Sequence, residues 1–410
     1  MEIGVDAALA SRVSAAMQRN SRFVERVFTP AEREECAGRP QRWASRWAAK
    51  EAVRKLAGAR GESPLPAWRE IEVLSGGGAP TVRVRGVTGT VALSLTHEGD
   101  LAVAVAVSAQ PAAGAPARVP AGLRLPDRPP TGNKGTFGTV VVLAGSHAYS
   151  GAAYLCAMGA ARGGAGLVRA CVPRSLHPAM AVKCTEVMPH GLPDGDAGVI
   201  GEAAVEVLVR DHLPAAAALV AGPGLGRDPA TGAALDRLLG ELRCPTVLDA
   251  DALNLVAAAG LRPARAGQPV VVTPHPAEMG RLADLDTAGV QADRLGVARG
   301  YAVREGVVVV LKGAGTVVAA ADGRAFTHPH PGVVALASGG TGDVLAGLCG
   351  AMLAARLDAF DAAVAAVCIH AEAGLLVEAV RGRAGALAGD LLEVLPAAQE
   401  RLRVAVEAAG

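Results

Sequence analysis

Six short runs of Val, Leu and Ala constrain the fold of this chain more than any other feature: Thr139 to Leu143, Leu167 to Val172, Ala218 to Ala221, Pro245 to Leu248, Val270 to Val272 and Val307 to Leu311. Each is too short for a helix and too apolar for a strand with one wet face, so they read as strands buried on both sides. Ala- and Leu-rich segments of helical composition separate them. This alternation predicts an α/β domain built on a doubly wound, mostly parallel sheet with helices on both faces.

Such sheets bind ligands at the carboxyl ends of their strands, so the residues just past each run are informative. The sequence there reads Ala144-Gly145-Ser146, Gly222-Pro223-Gly224-Leu225-Gly226, Asp249-Ala250-Asp251-Ala252-Leu253-Asn254, Thr273-Pro274-His275-Pro276-Ala277-Glu278 and Lys312-Gly313-Ala314-Gly315-Thr316. Strand ends that carry Gly, Asp, His, Glu and Lys at one edge point to a cleft of nucleotide scale. Singly, each has two meanings. Gly222 to Gly226 form either a tight turn or backbone that approaches a ligand closely. His275, between two prolines, is a satisfied loop histidine or a hydrogen-bond partner for a substrate. Lys312 is a surface charge or a phosphate contact, and Asp249, Asp251 and Glu278 are helix caps or hold water and Mg2+ near phosphates.

The stretch Ser338-Gly339-Gly340-Thr341-Gly342-Asp343 leads straight into an apolar segment that continues to Ala355. It reads as a flexible loop entering a helix, whose first N–H groups lack intrahelical partners and suit a phosphate. Asp343 falls in the first turn, placed to take the proton from a hydroxyl attacking that phosphate.

From Ala109 to Thr131 the chain carries Pro111, Pro116, Pro120, Pro126, Pro129 and Pro130 among Ala and Gly, which neither a helix nor a central strand accommodates. The expected organisation is a first domain over 1–109, a linker over 110–131 and a second domain over 132–405. A net charge of +1 over 410 residues argues against nucleic acid as a partner. Seven scattered cysteines with no Cys-x-x-Cys pair indicate neither a disulfide framework nor a zinc knuckle. Met1 to Asp6 lacks a signal-peptide pattern, and Arg, Asp, His or Pro interrupts the long apolar stretches. A cytoplasmic protein without a membrane span is expected.

The second part also carries Asn133-Lys134-Gly135, Tyr149-Ser150-Gly151-Ala152 and Gly163-Gly164-Ala165-Gly166-Leu167-Val168. With the strand-end motifs and the Gly339 to Asp343 loop, in that order, the region from Arg118 to Leu402 resembles the ADP- or ATP-dependent NAD(P)H-hydrate dehydratases, which have a ribokinase-like fold. The resemblance implies repair of hydrated NADH and NADPH: a nucleotide phosphorylates the hydroxyl added to the nicotinamide ring, and phosphate then leaves. It implies that Ala152, Gly224, His275 and Asp343 contact the hydrated dinucleotide. Lys312, Gly313, Ala314, Gly315, Thr316 and Gly342 would hold the adenine nucleotide, with Asp343 as base. One departure stands out: where such proteins usually show an Asn and a Thr-Gly-Asn run, this chain has His328-Pro329-His330-Pro331-Gly332 and Ser338.

In the first part, Gly4-Val5-Asp6 ends a short apolar start, and Arg46-Trp47-Ala48-Ala49-Lys50-Glu51-Ala52-Val53 reads as a helix with Arg46, Lys50 and Glu51 close on its surface. Ser94-Leu95-Thr96-His97-Glu98 precedes an alternating strand from Leu101 to Val107. An Asp and a Glu from separate elements can share one Mg2+, whose shell waters and phosphate oxygens complete; singly, each is a solvated charge or a cap. Together with Phe28-Thr29-Pro30-Ala31-Glu32, Trp68-Arg69-Glu70-Ile71-Glu72-Val73 and Gly78-Ala79-Pro80, these stretches resemble holo-acyl-carrier-protein synthase, the small α+β 4'-phosphopantetheinyl transferase. That resemblance implies transfer of phosphopantetheine from coenzyme A to a serine of an acyl carrier protein. It implies Asp6 and Glu51 on Mg2+, Lys50 nearby, His97 at the active site, and a homo-oligomer, since family members are trimers with sites between subunits. Residues 1–60 hold 12 Lys/Arg against 7 Asp/Glu, which suits an acidic carrier protein. Ala7-Ala8-Leu9 departs from the β-branched residues and Glu usual after the Asp.

The expectation is a bifunctional enzyme. The alternatives are a kinase of a small hydroxylated metabolite in the second part and a non-catalytic oligomerisation module in the first.

Overall fold

The computed structural model describes residues 2–59, 64–74, 80–84, 91–108, 119–195, 198–330 and 332–409. The chain divides into two compact units, Met1–Ala115 and Pro116–Gly410. Gly78 and Ala79, and the linker residues 110–118, lie outside the described residues.

The described strands of the first unit are β1 (Glu2–Leu9), β2 (Ile71–Leu74), β3 (Thr81–Val84), β4 (Val91–Glu98) and β5 (Leu101–Ser108). An antiparallel sheet in the order β1-β5-β4 stands beside the pair β2-β3. Ala48, Ala49, Ala52 and Leu56 of the helix Pro40–Ala59 pack on Ala104 and Ala106 of β5. Small residues let helix and sheet come close, and any Cβ at Gly4 would collide with the Ala52 carbonyl. Gly4 is therefore what allows Asp6, two residues on, to face the helix. Asp6 pairs with Ala104 and His97 with Ala102, alternate residues of β5, so both point to the helix-covered face. On the other face Ile3, Val5, Leu9 and Leu101 are exposed.

The second unit holds β6 (Thr139–Leu143), β7 (Leu167–Pro173), β8 (Met188–Leu192), β9 (Ala218–Ala221), β10 (Thr246–Leu248), β11 (Val270–Val272), β12 (Val308–Leu311), β13 (Val317–Ala319) and β14 (Ala325–Thr327). They form one sheet in the order β14-β13-β12-β11-β10-β9-β6-β7-β8. Pairing is parallel from β12 to β8 and antiparallel at β13 and β14. One face is covered by the helices Ser150–Arg162, Thr341–Ala354 and Ala359–Arg381, the other by Pro229–Gly240, Asp251–Ala259 and Arg294–Glu305. The chain runs outward from β6 to β7 and β8, then returns to place β9 on the other side of β6. That reversal makes the β6–β9 boundary the topological switch point, where crevices open in such sheets.

The six apolar runs are β6, β7, β9, β10, β11 and β12. Three strands were not among them. β8 contains Pro189 and Gly191 and is tolerated because it is an edge strand, and β13 and β14 are three residues each. Two features bear on the remaining expectations. The helix Ala359–Arg381 is long and apolar enough to cross a membrane, yet 78% of its most apolar window is buried within the unit, as in a core helix. Residues 119–131 do not stand free as a linker: Leu123 is buried in the core of the second unit, and the Pro126 carbonyl accepts from Arg403 at 3.1 Å.

Candidate active site

Charge gathers at the carboxyl edge of the large sheet. Lys312, one residue past β12, donates from Nζ to Asp249 Oδ1 at 2.7 Å, one residue past β10, and lies 3.9 Å from Glu278 Oε2. The glycine-rich loop crosses directly above: a Cβ on Gly342 would sit 3.3 Å from Lys312 Nζ and 4.0 Å from Asp249 Oδ2. Gly340, at φ 89°, is the last residue before the helix Thr341–Ala354, a backbone conformation that favours glycine. Asp343 follows in the first turn. Loops distant in sequence thus bring one lysine and three carboxylates together beneath a helix entrance.

Electrostatics sort these groups. Burial, and then the charge of Asp249, pushes Asp343 up to about 7, against the pull of Lys312. Burial likewise raises Glu278 to about 7. Burial pulls the Lys312 amine down, but Asp249 and Glu278 outweigh it and the net shift is upward. The lysine stays charged while a carboxyl beside it exchanges its proton near neutrality, as a general base requires.

The hydroxyls of the loop have structural duties. The single hydroxyl proton of Thr341 is shared between the carbonyls of Leu336 (2.8 Å) and Ser338 (3.0 Å), and that of Ser338 between those of Ala335 (3.1 Å) and Ala386 (2.8 Å). Burial lowers His370 to about 4, so its neutral ring donates from Nε2 to the Thr341 carbonyl at 2.9 Å. Below this loop a cavity of about 390 Å3 is lined by Lys312, Gly313, Ala314, Thr316, Gly342 and Thr341 on its polar side. Val333, Val334, Leu336 and Leu345 form its apolar side. Gly315, at φ 61°, lines an adjoining hollow with His328 and His330. The apolar wall had no sequence signal, because its residues come from a single 3-10 turn, Val334–Ala337, with Val333 before it, and from a helix whose inward face looks like any core. Arg294 was also missed; it donates to the carbonyls of Leu311 (2.9 Å) and Lys312 (3.2 Å) and fixes the end of β12.

His275 caps the helix Pro276–Ala283. Its Nδ1 accepts from the amides of Ala277 (3.1 Å) and Glu278 (3.3 Å), and its own amide donates to Glu278 Oε2 at 2.8 Å. Because Nδ1 accepts, Nε2 carries the ring proton and lies 3.3 Å from Glu278 Oε1. Burial, and then the charge of Lys312, lowers its pKa. Asp251 ties the glycine loop: its carboxylate accepts from the Gly226 amide and from Arg227 Nε, each at 3.0 Å. Gly224, at φ 64°, has no room for a side chain, since a Cβ would lie 2.7 Å from that of Tyr149 and 2.9 Å from that of Ala152. Ala152 and Gly224 therefore meet at the switch point.

In the first unit the placement of Lys50 is corrected. It is fully buried, paired with Glu32 Oε2 at 2.8 Å, and donates also to the carbonyls of Trp68 and Ile71. The helix turns Lys50 inward toward β2 while Glu51, the next residue, meets Trp68 Nε1 near the surface. Asp6 pairs with Lys55 Nζ at 2.8 Å. Asp6 and Glu51 sit on the facing elements that Gly4 brings together. Two carboxylates are a donor set that Mg2+ accepts once phosphate and water complete its shell. Among the described residues no group of three or more His, Cys, Asp or Glu could hold a metal by itself.

A mostly parallel doubly wound sheet with a helix entrance and a lysine over a nucleotide-sized cavity defines a ribokinase-like α/β protein. The chain belongs to the NAD(P)H-hydrate dehydratase family, whose pattern matches residues 140–397. Residues 2–106 match the 4'-phosphopantetheinyl transferase superfamily. The chain is 40% identical over 286 residues to a bifunctional NAD(P)H-hydrate repair enzyme of Moorella thermoacetica, covering 69% of this chain and 53% of that one. It thus spans about half the length of the bifunctional relatives it matches. An ADP-dependent (S)-NAD(P)H-hydrate dehydratase of Xanthomonas campestris is 35% identical over 67% of this chain and 92% of its own. The crystal structure of the ADP/ATP-dependent dehydratase of Bacillus subtilis, co-crystallised with ATP and Mg2+, superposes with a TM-score of 0.60 at 32% identity, over 68% of this chain and 94% of that one.

Proposed function

We propose that the second unit dehydrates hydrated NADH and NADPH with ADP or ATP as phosphoryl donor. The observation that carries this reading is Asp343: a carboxyl at about 7, over the lysine-lined cavity, in a family of hydrate dehydratases. The ionised carboxylate takes the proton from the ring hydroxyl as its oxygen forms a bond to the terminal phosphorus of the nucleotide, which departs one phosphate shorter. The ring C–O bond then breaks, phosphate leaves with the electron pair, and loss of a proton from the neighbouring carbon restores the double bond. Lys312, Gly313, Ala314, Gly315, Thr316 and Gly342 hold the nucleotide, with the amides at the helix entrance and the Lys312 ammonium on its transferable phosphate. Ala152, Gly224 and His275 hold the hydrated dinucleotide. Purified protein should consume chemically prepared NADPH hydrate with ADP or ATP and Mg2+ and release phosphate. No consumption with either nucleotide defeats the reading, and a stable phosphorylated product replaces it with a kinase.

The first unit, on this reading, transfers phosphopantetheine from coenzyme A to an acyl carrier protein, with Asp6 and Glu51 on Mg2+ and His97 on the same sheet face. Mg2+ supplies charge neutralisation on the pyrophosphate; Lys50 positions the helix from within the core. The exposed apolar face of Ile3, Val5, Leu9 and Leu101 fits a homo-oligomer built from further copies of this unit. A cytoplasmic location accords with both sets of substrates. Incubation of apo carrier protein with coenzyme A should raise its mass, and Asp6→Ala should abolish the increase. No mass increase with wild type leaves the unit as an oligomerisation module.

A further inference from the structure

Beyond the reacting groups, the carboxyl edge of the sheet carries a second polar assembly. His147 follows β6, Ser175 follows β7 and Asp194 follows β8. Ser175 donates from Oγ to Asp194 Oδ2 at 2.6 Å and from its amide to the same oxygen at 3.0 Å, and its Oγ lies 2.8 Å from His147 Nε2. The order of the bonds excludes a nucleophilic triad. The single hydroxyl proton already goes to the carboxylate, so Nε2 must donate to Oγ and cannot accept from it. In the tautomer with the ring proton on Nε2, Nδ1 is an acceptor, with no hydrogen-bond partner among the described residues. Its ring is clamped: Gly198, at φ 72°, lies so near that a Cβ would sit 2.7 Å from the ring. His147 is nonetheless exposed, as are Arg174 and Tyr149 beside the assembly. Tyr149 packs on Gly224, so the assembly continues the switch-point crevice.

Direction decides what this crevice extension takes. If the reacting ring lies at Asp343, the nucleotide cavity occupies the β12 side, and the rest of the dinucleotide has to run the other way, past β9 and β6. Ser175 is on β7's end, three strand spacings from Asp249 on β10's, a reach of roughly 14 Å. A dinucleotide, two nucleotides joined end to end, is the ligand of the proposed reaction that reaches across it. We infer that His147, oriented by Ser175 and Asp194, binds the adenosine half of the hydrated dinucleotide through its Nδ1 acceptor, against a ribose hydroxyl or the base amine. This rests on the dehydratase reading above.

The test compares two substrates with ADP fixed: hydrated NADH, and the hydrate of reduced nicotinamide mononucleotide, which lacks the adenosine half. Wild type should have a lower KM for the full substrate. His147→Gln keeps an amide donor toward Ser175 but puts its own acceptor, Oε1, away from where Nδ1 stood, so the KM of the mononucleotide hydrate divided by that of hydrated NADH should fall about tenfold while the melting temperature holds, as one oriented hydrogen bond would give. Ser175→Ala, which frees the ring, should lower the ratio in the same direction. An unchanged ratio in both variants, or a wild type that does not distinguish the substrates, overturns the inference and leaves the dehydratase intact. Turnover of neither hydrate by wild type overturns both.

Discussion

Lys50 and Glu32 in the first unit lie 2.8 Å apart, and Lys312 and Asp249 in the second lie 2.7 Å apart. The first pair is sealed. The Lys50 ammonium is satisfied by Glu32 and two backbone carbonyls, and the Glu32 carboxylate accepts in addition from the amides of Thr29 and Val73, each at 2.8 Å. Burial lowers the Lys50 pKa, opposed by Glu32. The second pair is open: its amine forms part of a cavity wall, a second and third carboxylate crowd in, and its pKa goes up. An ion pair of given length is thus a piece of architecture when every donor is matched, and an open charged site when carboxylates outnumber the cation and one side faces a cavity.

Breaking the sealed pair should have the largest effect. Lys50→Met leaves Glu32 buried without its cation, which costs about 3–5 kcal/mol, and Lys50→Met with Glu32→Leu should recover much of that loss. The measurement is clean because the three tryptophans, Trp43, Trp47 and Trp68, all lie in the first unit. Urea unfolding followed by tryptophan fluorescence should shift strongly in the single variant, while hydrate dehydration persists. A fluorescence transition that does not move would show that Lys50 is not architectural. On the open side, Asp343→Asn should retain nucleotide binding and lose about 100-fold or more in kcat. Unchanged turnover would retire Asp343 as the base.

How far sequence could see follows the same division. The Val-rich strands were legible because burial on both faces leaves a nearly uninterrupted apolar run, and their chemical endings were legible because strand direction puts them at one edge. The switch point was not, since it depends on β9 inserting beside β6 after the chain has built β7 and β8. The inward turn of Lys50 was hidden too: Arg46 and Lys50, one helical turn apart, look like a solvated stripe. Their partners supply the missing information, because Glu32 enters from the helix Pro30–Cys36, where it also completes a capping box with Thr29. At the candidate site, Asp343, Lys312 and His275 each had two meanings alone and pointed to a cleft only as a set, and the crowding that lifts Asp343 and Glu278 exists only once Asp249 is in place.

A pH series sharpens the contrast. With Asp343 at about 7, kcat/KM should rise tenfold per pH unit below that value and level off above it. Stability of the ligand-free second unit should move the opposite way. Its buried carboxyls keep their protons to higher pH than in the unfolded chain, so the stabilisation they give is complete below about 4 and is lost as pH rises through about 7. In Asp343→Asn the rate limb should vanish and the stability slope should shrink to the share of Glu278. A limb that survives would move the base to another group.

The smallest effect separates two duties that one side chain performs. His275 accepts two amide hydrogens as a helix cap and is also proposed to touch the dinucleotide. His275→Ala loses both, at about 1 kcal/mol for the cap. Asn caps well and is shorter, so His275→Asn should restore the melting temperature to within the error of a few tenths of a kcal/mol while KM for the hydrate stays raised and KM for ADP stays at its wild-type value. If Asn restores KM as well, His275 belongs with Lys50 among the groups that hold the fold, and the open side of the comparison loses one member.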